Sequence, residues 1–194
     1  MGRIREFEDI KVFEKAMHLF WKKGYGNTSL KDLLEVMEIQ NGSFYNTFGS
    51  KKALFINALE SYEKDFAQKR NLLFESGNGF KKNIRILFSH VFDRQKKTEC
   101  PKGCFLFNSV SADALEDSEI QTLVHSGVRD FENFLKDQIK IAIDNGEIDK
   151  SIEPNKTAAI LIAYMQGIMK LCVLEFSDSK FKEQTKYFLA ALNL

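Results

Sequence analysis

Cys100-Pro-Lys-Gly-Cys104 gathers the most reactive side chains of the chain into one short loop. Lys102, and the amides of a helix beginning near Cys104, would both stabilise a thiolate, which makes Cys104 a candidate redox or electrophile switch. The plainer alternative is a small buried structural cysteine, because an unreactive thiol packs like a small hydrophobe. A thiol oxidoreductase using Cys100 and Cys104 is the enzymatic rival, but the spacing is C-x-x-x-C rather than C-x-x-C and no thioredoxin-like strand pattern surrounds it. Zinc needs a second ligand pair at finger spacing, and His18, His90 and His125 stand far from one another in sequence. No Gly-x-Ser-x-Gly elbow, phosphate loop or HExxH is present. The expectation is no metal, no cofactor and no catalysis.

A second constellation runs from Gln40 through Asn41, Gly42, Ser43, Phe44, Tyr45 and Thr47 to Lys51. Between Gln40 and Leu59 no acidic residue occurs while Lys51 and Lys52 do, giving a local positive stretch in a chain whose 28 basic and 27 acidic residues nearly cancel. Thr28, Ser29, Tyr45 and Thr47 add hydroxyl donors of the kind that hold phosphates, and Gly42 would let the backbone lie close to a duplex. Asn41-Gly42 is a strong hairpin signal by itself, yet Phe44, Tyr45 and Phe48 do not alternate as strand residues do. Phe44 and Phe48 read more naturally as core residues than as base contacts. Arg3 and Arg5 either form an arm that enters a minor groove or belong to a disordered tail.

The elements that must carry these residues are helices. Only two prolines, Pro101 and Pro154, and apolar residues at i, i+3, i+4 spacing point to an all-α chain, and 194 residues suffice for one sizeable core or two small ones. A first helix is expected from about Phe7 to Lys23, stopped by Gly24. Thr28 or Ser29 caps a short helix through Met37, and a second short helix starts near Gln40 or Asn41 and ends at Gly49-Ser50. Ser50 caps a long helix from Lys51 to about Phe74. Further helices are expected around Ile84 to Phe92, from Phe105 to Leu115, from Glu119 to about Ile143, from Pro154 to Glu175, and over the last residues. Two short helices joined by a tight turn and braced by a longer one make a helix-turn-helix.

The run Ala16…Leu19-Phe20…Lys23-Gly24-Tyr25…Thr28-Ser29…Asp32-Leu33, then Gly42-Ser43-Phe44-Tyr45…Phe48…Ser50-Lys51…Leu54-Phe55, resembles the DNA-binding domain of the TetR family of bacterial transcriptional regulators. The resemblance covers about the first 60 residues. It implies a three-helix DNA-binding domain at 1–50 and a larger helical effector-binding and dimerisation domain at 51–194, acting as a homodimeric repressor on double-stranded operator DNA. It also implies that Tyr45 and Lys51 contact phosphates, that Thr28 opens the first motif helix, and that Gln40 to Phe44 read bases. Glu38 stands where the family usually places a turn glycine, so a left-handed backbone there would cost ~1 kcal/mol unless another turn is used. Asn41 replaces a frequent basic residue, and asparagine reads adenine well.

The resemblance places a small-molecule effector in the C-terminal half. Phe66, Phe88, Phe92, Phe105, Phe107, Phe131 and Phe134 could line its cavity together with Met165 and Cys104, with Tyr62, Asn108 or Gln166 orienting the ligand; plain helix packing accounts for the same aromatic stripe. The helix after Pro154 is apolar on more than one face, and Ala163 and Gly167 allow close approach of a second copy. Leu171, Leu174 and, on the last helix, Phe188 would complete a dimer interface, and two-fold pairing predicts a palindromic operator. Three cysteines, no export signal and no uninterrupted apolar run of bilayer length lead to the expectation of a cytoplasmic protein without membrane attachment.

Overall fold

The computed structural model describes residues 2–108, 114 and 116–194, with side chains from position 10 onward. Nine helices and no strand occur among the described residues. Helix α1 (Gly2–Lys23) begins well before the expected Phe7 and stops where Gly24, at φ +80°, donates to Phe20 O at 2.8 Å. Arg3 and Arg5 lie on this helical backbone, and their side chains fall outside the described residues. Helix α2 (Leu30–Met37) starts at a capping box. Ser29 Oγ accepts from Asp32 N at 3.1 Å, while the Asp32 carboxylate accepts from Ser29 N at 2.9 Å, so two orphan amides are satisfied reciprocally. Ser29 rather than Thr28 is therefore the cap.

Helix α3 (Asn41–Phe48) closes at Gly49, φ +73°, and α4 (Lys51–Phe74) is capped by Ser50, whose Oγ accepts from Ala53 N at 3.0 Å. Helix α5 (Phe80–Lys96) follows a glycine that has no side chain to cap it. Glu147 substitutes from afar: its two carboxylate oxygens accept from Phe80 N and Lys81 N at 2.7 Å each, placing an anion where the helix dipole favours one. Then come α6 (Phe105–Asn108), α7 (Ser118–Asp144), α8 (Pro154–Leu174) and α9 (Asp178–Ala191). The expected extension of α6 towards Leu115 involves 109–113 and 115, which lie outside the described residues.

Packing separates two compact units, residues 1–64 with 105–125 and residues 65–104 with 126–194. In the first, Phe20 and Phe55 meet edge to face at 5.0 Å, Trp21 stacks on Phe105 at 5.2 Å, and Tyr62 meets both Trp21 and Phe105. Each such buried ring stabilises the unit by about 1.5–3 kcal/mol. Leu54, Phe55, Ala58 and Leu59 of α4 are fully buried, so the packing boundary falls well past position 50, where the division of roles was expected. In the second unit Phe88, Phe92, Leu135, Ile139, Leu161, Met165 and Phe181 form the core. By length and composition α8 is apolar enough to cross a membrane, with a mean hydropathy of 1.7 that counting uninterrupted runs does not reveal. Its buried positions, Ala158, Leu161, Ile162, Met165, Ile168, Met169 and Cys172, recur at helical spacing and supply that core, which accounts for one of its apolar faces.

Candidate nucleic-acid interface

The turn between α2 and α3 uses the left-handed backbone that Glu38 makes costly: Glu38 sits at φ 59°, ψ 38°, its N–H donates to Glu35 O, and Ile39 N reaches Leu34 O at 3.2 Å. Its carboxylate is held by Lys15 of α1, which lowers the Glu38 pKa and ties the turn to the bracing helix. Backbone and side-chain hydrogen bonds from Ser29, then the Lys23 ammonium at 3.1 Å, bring the Asp32 carboxyl down to about 2. Leu33, Met37 and Phe44 are buried beneath the motif, fixing α3 against the unit.

On α3 and at its entry, Gln40, Asn41, Gly42, Ser43, Tyr45 and Thr47 are all exposed, so the structure brings these six sequence-singled residues together on one short helix. A Cβ built at Gly42 meets nothing within 4 Å, so the fold itself does not require a glycine there. Gln40 makes no side-chain cap, leaving the first amides of α3 without an intrahelical acceptor. Asn46, exposed between Tyr45 and Thr47, belongs to the same surface; its amide chemistry matches that of Asn41, which was the available signal.

Three residues expected at the interface, and Lys52 of the positive stretch, are placed differently. Phe44 is 0 % exposed, its ring centre 5.6 Å from those of Tyr45 and Phe48, so its side chain anchors α3 from beneath instead of facing outward. Thr28 is also fully buried and donates its hydroxyl to Gly24 O at 2.7 Å, which staples the loop rather than offering a phosphate donor. Lys51 turns inward: Nζ donates to Thr28 O at 2.9 Å and Tyr25 O at 3.1 Å and lies 4.4 Å from the Tyr25 ring centre, and desolvation lowers its pKa. Lys52 bridges Asp117 at 2.7 Å and Glu119 at 2.8 Å, hydrogen bonds that raise its pKa. Of the two lysines in the expected positive stretch, Lys52 is thus paired with carboxylates and Lys51 keeps its charge against carbonyl oxygens.

Residues 12–58, which span this surface, match the family described as bacterial regulatory proteins, tetR family, and residues 81–188 match a tetracyclin repressor-like C-terminal domain. The chain belongs to the TetR family. It is 31% identical over 151 residues to YezE of Bacillus subtilis (strain 168), an uncharacterized HTH-type transcriptional regulator, with 77% of each chain covered. It is 27% identical to the HTH-type transcriptional repressor ComR of Escherichia coli (strain K12), covering 86% of this chain and 80% of ComR. In fold it resembles a cysteine mutant of the TetR family regulator CifR in complex with 26bp double-strand operator DNA, with a TM-score of 0.85 at 21% identity, covering 93% of this chain and 95% of that one. The chain is thus a TetR-family transcriptional regulator with an N-terminal DNA-binding helix-turn-helix.

The residues expected to line an effector cavity are divided between the two units. Tyr62, Phe107 and Asn108 lie in the first; Phe66, Phe88, Phe92, Cys104, Phe131, Met165 and Gln166 lie in the second. There Phe66 meets Phe131 at 5.1 Å, Phe88 meets Tyr164 and Phe92 stacks on Phe181, so the aromatic stripe serves several separate core contacts. Cys104 is 7 % exposed, and the Lys102 ammonium donates to Gln95 O and Lys97 O instead of standing free beside the thiol. Gln95, wholly buried, accepts from Gly103 N at 2.9 Å and pins this loop. Burial pushes the Cys172 thiol up to about 11 against the pull of Lys102.

Four of the five dimer candidates lie on one exposed face of α8. Ala163, Gly167, Leu171 and Leu174 are exposed at helical spacing on α8, with Leu174 81 % exposed, and a Cβ at Gly167 also meets nothing within 4 Å. Phe188 is half-buried, stacked on Tyr164 at 3.7 Å. Ile160 and Tyr187 extend the exposed apolar strip; each is a helical turn or less from a residue already singled out, which was the signal for them.

Proposed function

We propose that the chain is a repressor that binds a palindromic double-stranded operator as a homodimer and is released by a small-molecule effector. The observation that carries the reading is the α3 surface: Gln40, Asn41, Ser43, Tyr45, Asn46 and Thr47 exposed around an open Gly42, on a helix anchored from beneath by Phe44. Gln40, Asn41 and Ser43 would read base edges in a major groove, while Tyr45, Thr47 and the first α3 amides would hold phosphates. Ser29 would add a hydroxyl at the start of α2. The internal placement of Lys51 and Lys52 makes this a recognition surface with few free cations, which favours specificity over non-specific attraction.

Repression is supported by relatives named as repressors, ComR among them. Release by effector would act through α4, which starts beside the recognition helix and ends in the second unit, by favouring a conformation whose two α3 helices no longer match successive major grooves. A coupling of about 1–3 kcal/mol would change operator affinity about 5- to 150-fold. Burial of Cys104 favours a bound effector over thiol modification as the signal. The test is selection of duplexes from a random library at two salt concentrations. An enriched palindrome upholds the reading, and enrichment of no sequence by folded protein overturns it.

A further inference from the structure

The apolar stripe along the second half of α4 has one interruption. Phe66 and Leu73 lie on the stripe, but the position between them belongs to Arg70, which is only 9 % exposed. Its guanidinium carbon lies 4.2 Å from the ring centre of Phe134, 5.5 Å from Phe131 and 5.8 Å from Phe66, all within cation–π range and all in the second unit. The rings compensate the charge through their faces, but a guanidinium also presents five N–H donors that seek oxygen. Among the described residues the one oxygen it reaches is Asn71 Oδ1, which accepts from Arg70 Nε at 3.4 Å. Among the described residues no carboxylate lies within ion-pair distance of Arg70; Asp130 acts on it only through space, and burial lowers its pKa. By contrast Arg85 and Arg94 each place a guanidinium nitrogen on a backbone carbonyl, of Leu194 and Gly103. A residue kept solely to fill this position would be apolar, because a buried cation without an acceptor is costly.

We propose that Arg70 is the recognition point of a binding site for an apolar organic acid, whose carboxylate pairs with the guanidinium while its hydrocarbon body lies against Phe66, Phe131 and Phe134. Phe66 and Phe134 are only half-buried, so ring surface remains for the ligand beside the buried cation. A planar carboxylate matches the guanidinium fork in two parallel hydrogen bonds, which neither a neutral amide nor an alcohol reproduces. This rests on the reading that the second unit takes the effector, and it names the effector's class.

The experiment is calorimetric titration of the full chain, free of DNA, with 2-naphthoate and decanoate and with their neutral amides. The acids are expected to bind about tenfold or more tighter than the amides. Arg70→Met should remove that difference, and Arg70→Lys should retain part of it. Equal affinity for acid and amide, no acid binding at millimolar concentration, or an Arg70→Met protein that binds the acids as wild type does would each overturn the site. Should Arg70→Met fail to fold, the acid-to-amide comparison on the unaltered chain decides. Operator affinity is followed separately. Arg70-dependent acid binding that leaves the operator bound upholds the site and counts against acid-released repression, whereas a chain that selects an operator but binds neither acid overturns the site and leaves DNA recognition standing.

Discussion

Gly42 illustrates how a single residue can be costly to the fold and useful only outside it. It lies in the first turn of α3, where a glycine is less favourable than alanine, and nothing in the chain occupies the space a methyl group would take. Gly42→Ala is therefore expected to stabilise the protein by about 0.5 kcal/mol in denaturant unfolding while weakening operator binding in a gel-shift titration. Unchanged DNA affinity would remove Gly42 from the interface. The capping box of α2 gives a second prediction at this scale. Asp32 has its folded pKa depressed from 3.8 to about 2, so the stability it adds is present above about pH 4 and is lost as pH falls towards 2. Asp32→Asn should flatten the rise in melting temperature between pH 2 and 4, and Ser29→Ala should cost about 1 kcal/mol at neutral pH by removing the cap itself. A pH profile identical to wild type would show that the Ser29 bonds do not hold the carboxylate in solution.

The helices were legible in the sequence wherever a residue type enforces a boundary. Gly24, Gly49 and Pro154 mark ends or starts that the structure reproduces, whereas α8, apolar on more than one face, buries one face and leaves Ile160, Leu171 and Leu174 exposed. The direction taken by a long flexible side chain was not legible. Lys51 and Lys52 are adjacent and chemically identical, yet one braces backbone carbonyls and the other two carboxylates from a segment far along the chain. The role of the phenylalanines was equally hidden, because an aromatic at helical spacing satisfies core and cavity alike, and Arg70, a charge breaking the stripe of α4, is what singles out the proposed site. The two lysines yield an element-scale prediction. Lys51→Met should loosen the α1–α2 loop and lower stability by about 1 kcal/mol, with little change in the salt dependence of DNA binding. Freeing Lys52 with Asp117→Asn and Glu119→Gln together should instead steepen the slope of log K against log salt by about 1, as one more cation reaches phosphate. If Lys51→Met reduces that slope by about 1 with stability unchanged, its ammonium turns outward to the duplex when DNA is bound.

At the scale of the whole molecule, the proposed recognition by one eight-residue helix would offer little surface for tight specific binding, and the proposed second copy would double it. The exposed strip of α8, with Ile160, Ala163, Gly167, Leu171 and Leu174, and Tyr187 on α9, has the small-residue centre and apolar margin that two packed helices require. Gly167, like Gly42, sits in a helix with open space where its side chain would be, which is the condition for a neighbouring backbone to approach. Leu171→Glu places a charge on this strip without touching the core, because Leu171 is 49 % exposed. The variant should keep wild-type helicity and stability as a monomer in sedimentation velocity, and it should lose about 100-fold or more in operator affinity as the linked second contact disappears. Its affinity for a single half-site should stay the same, which separates a lost dimer from a damaged reading head. A dimeric Leu171→Glu protein with wild-type affinity would move the two-fold axis away from α8 and leave this apolar strip without its proposed partner.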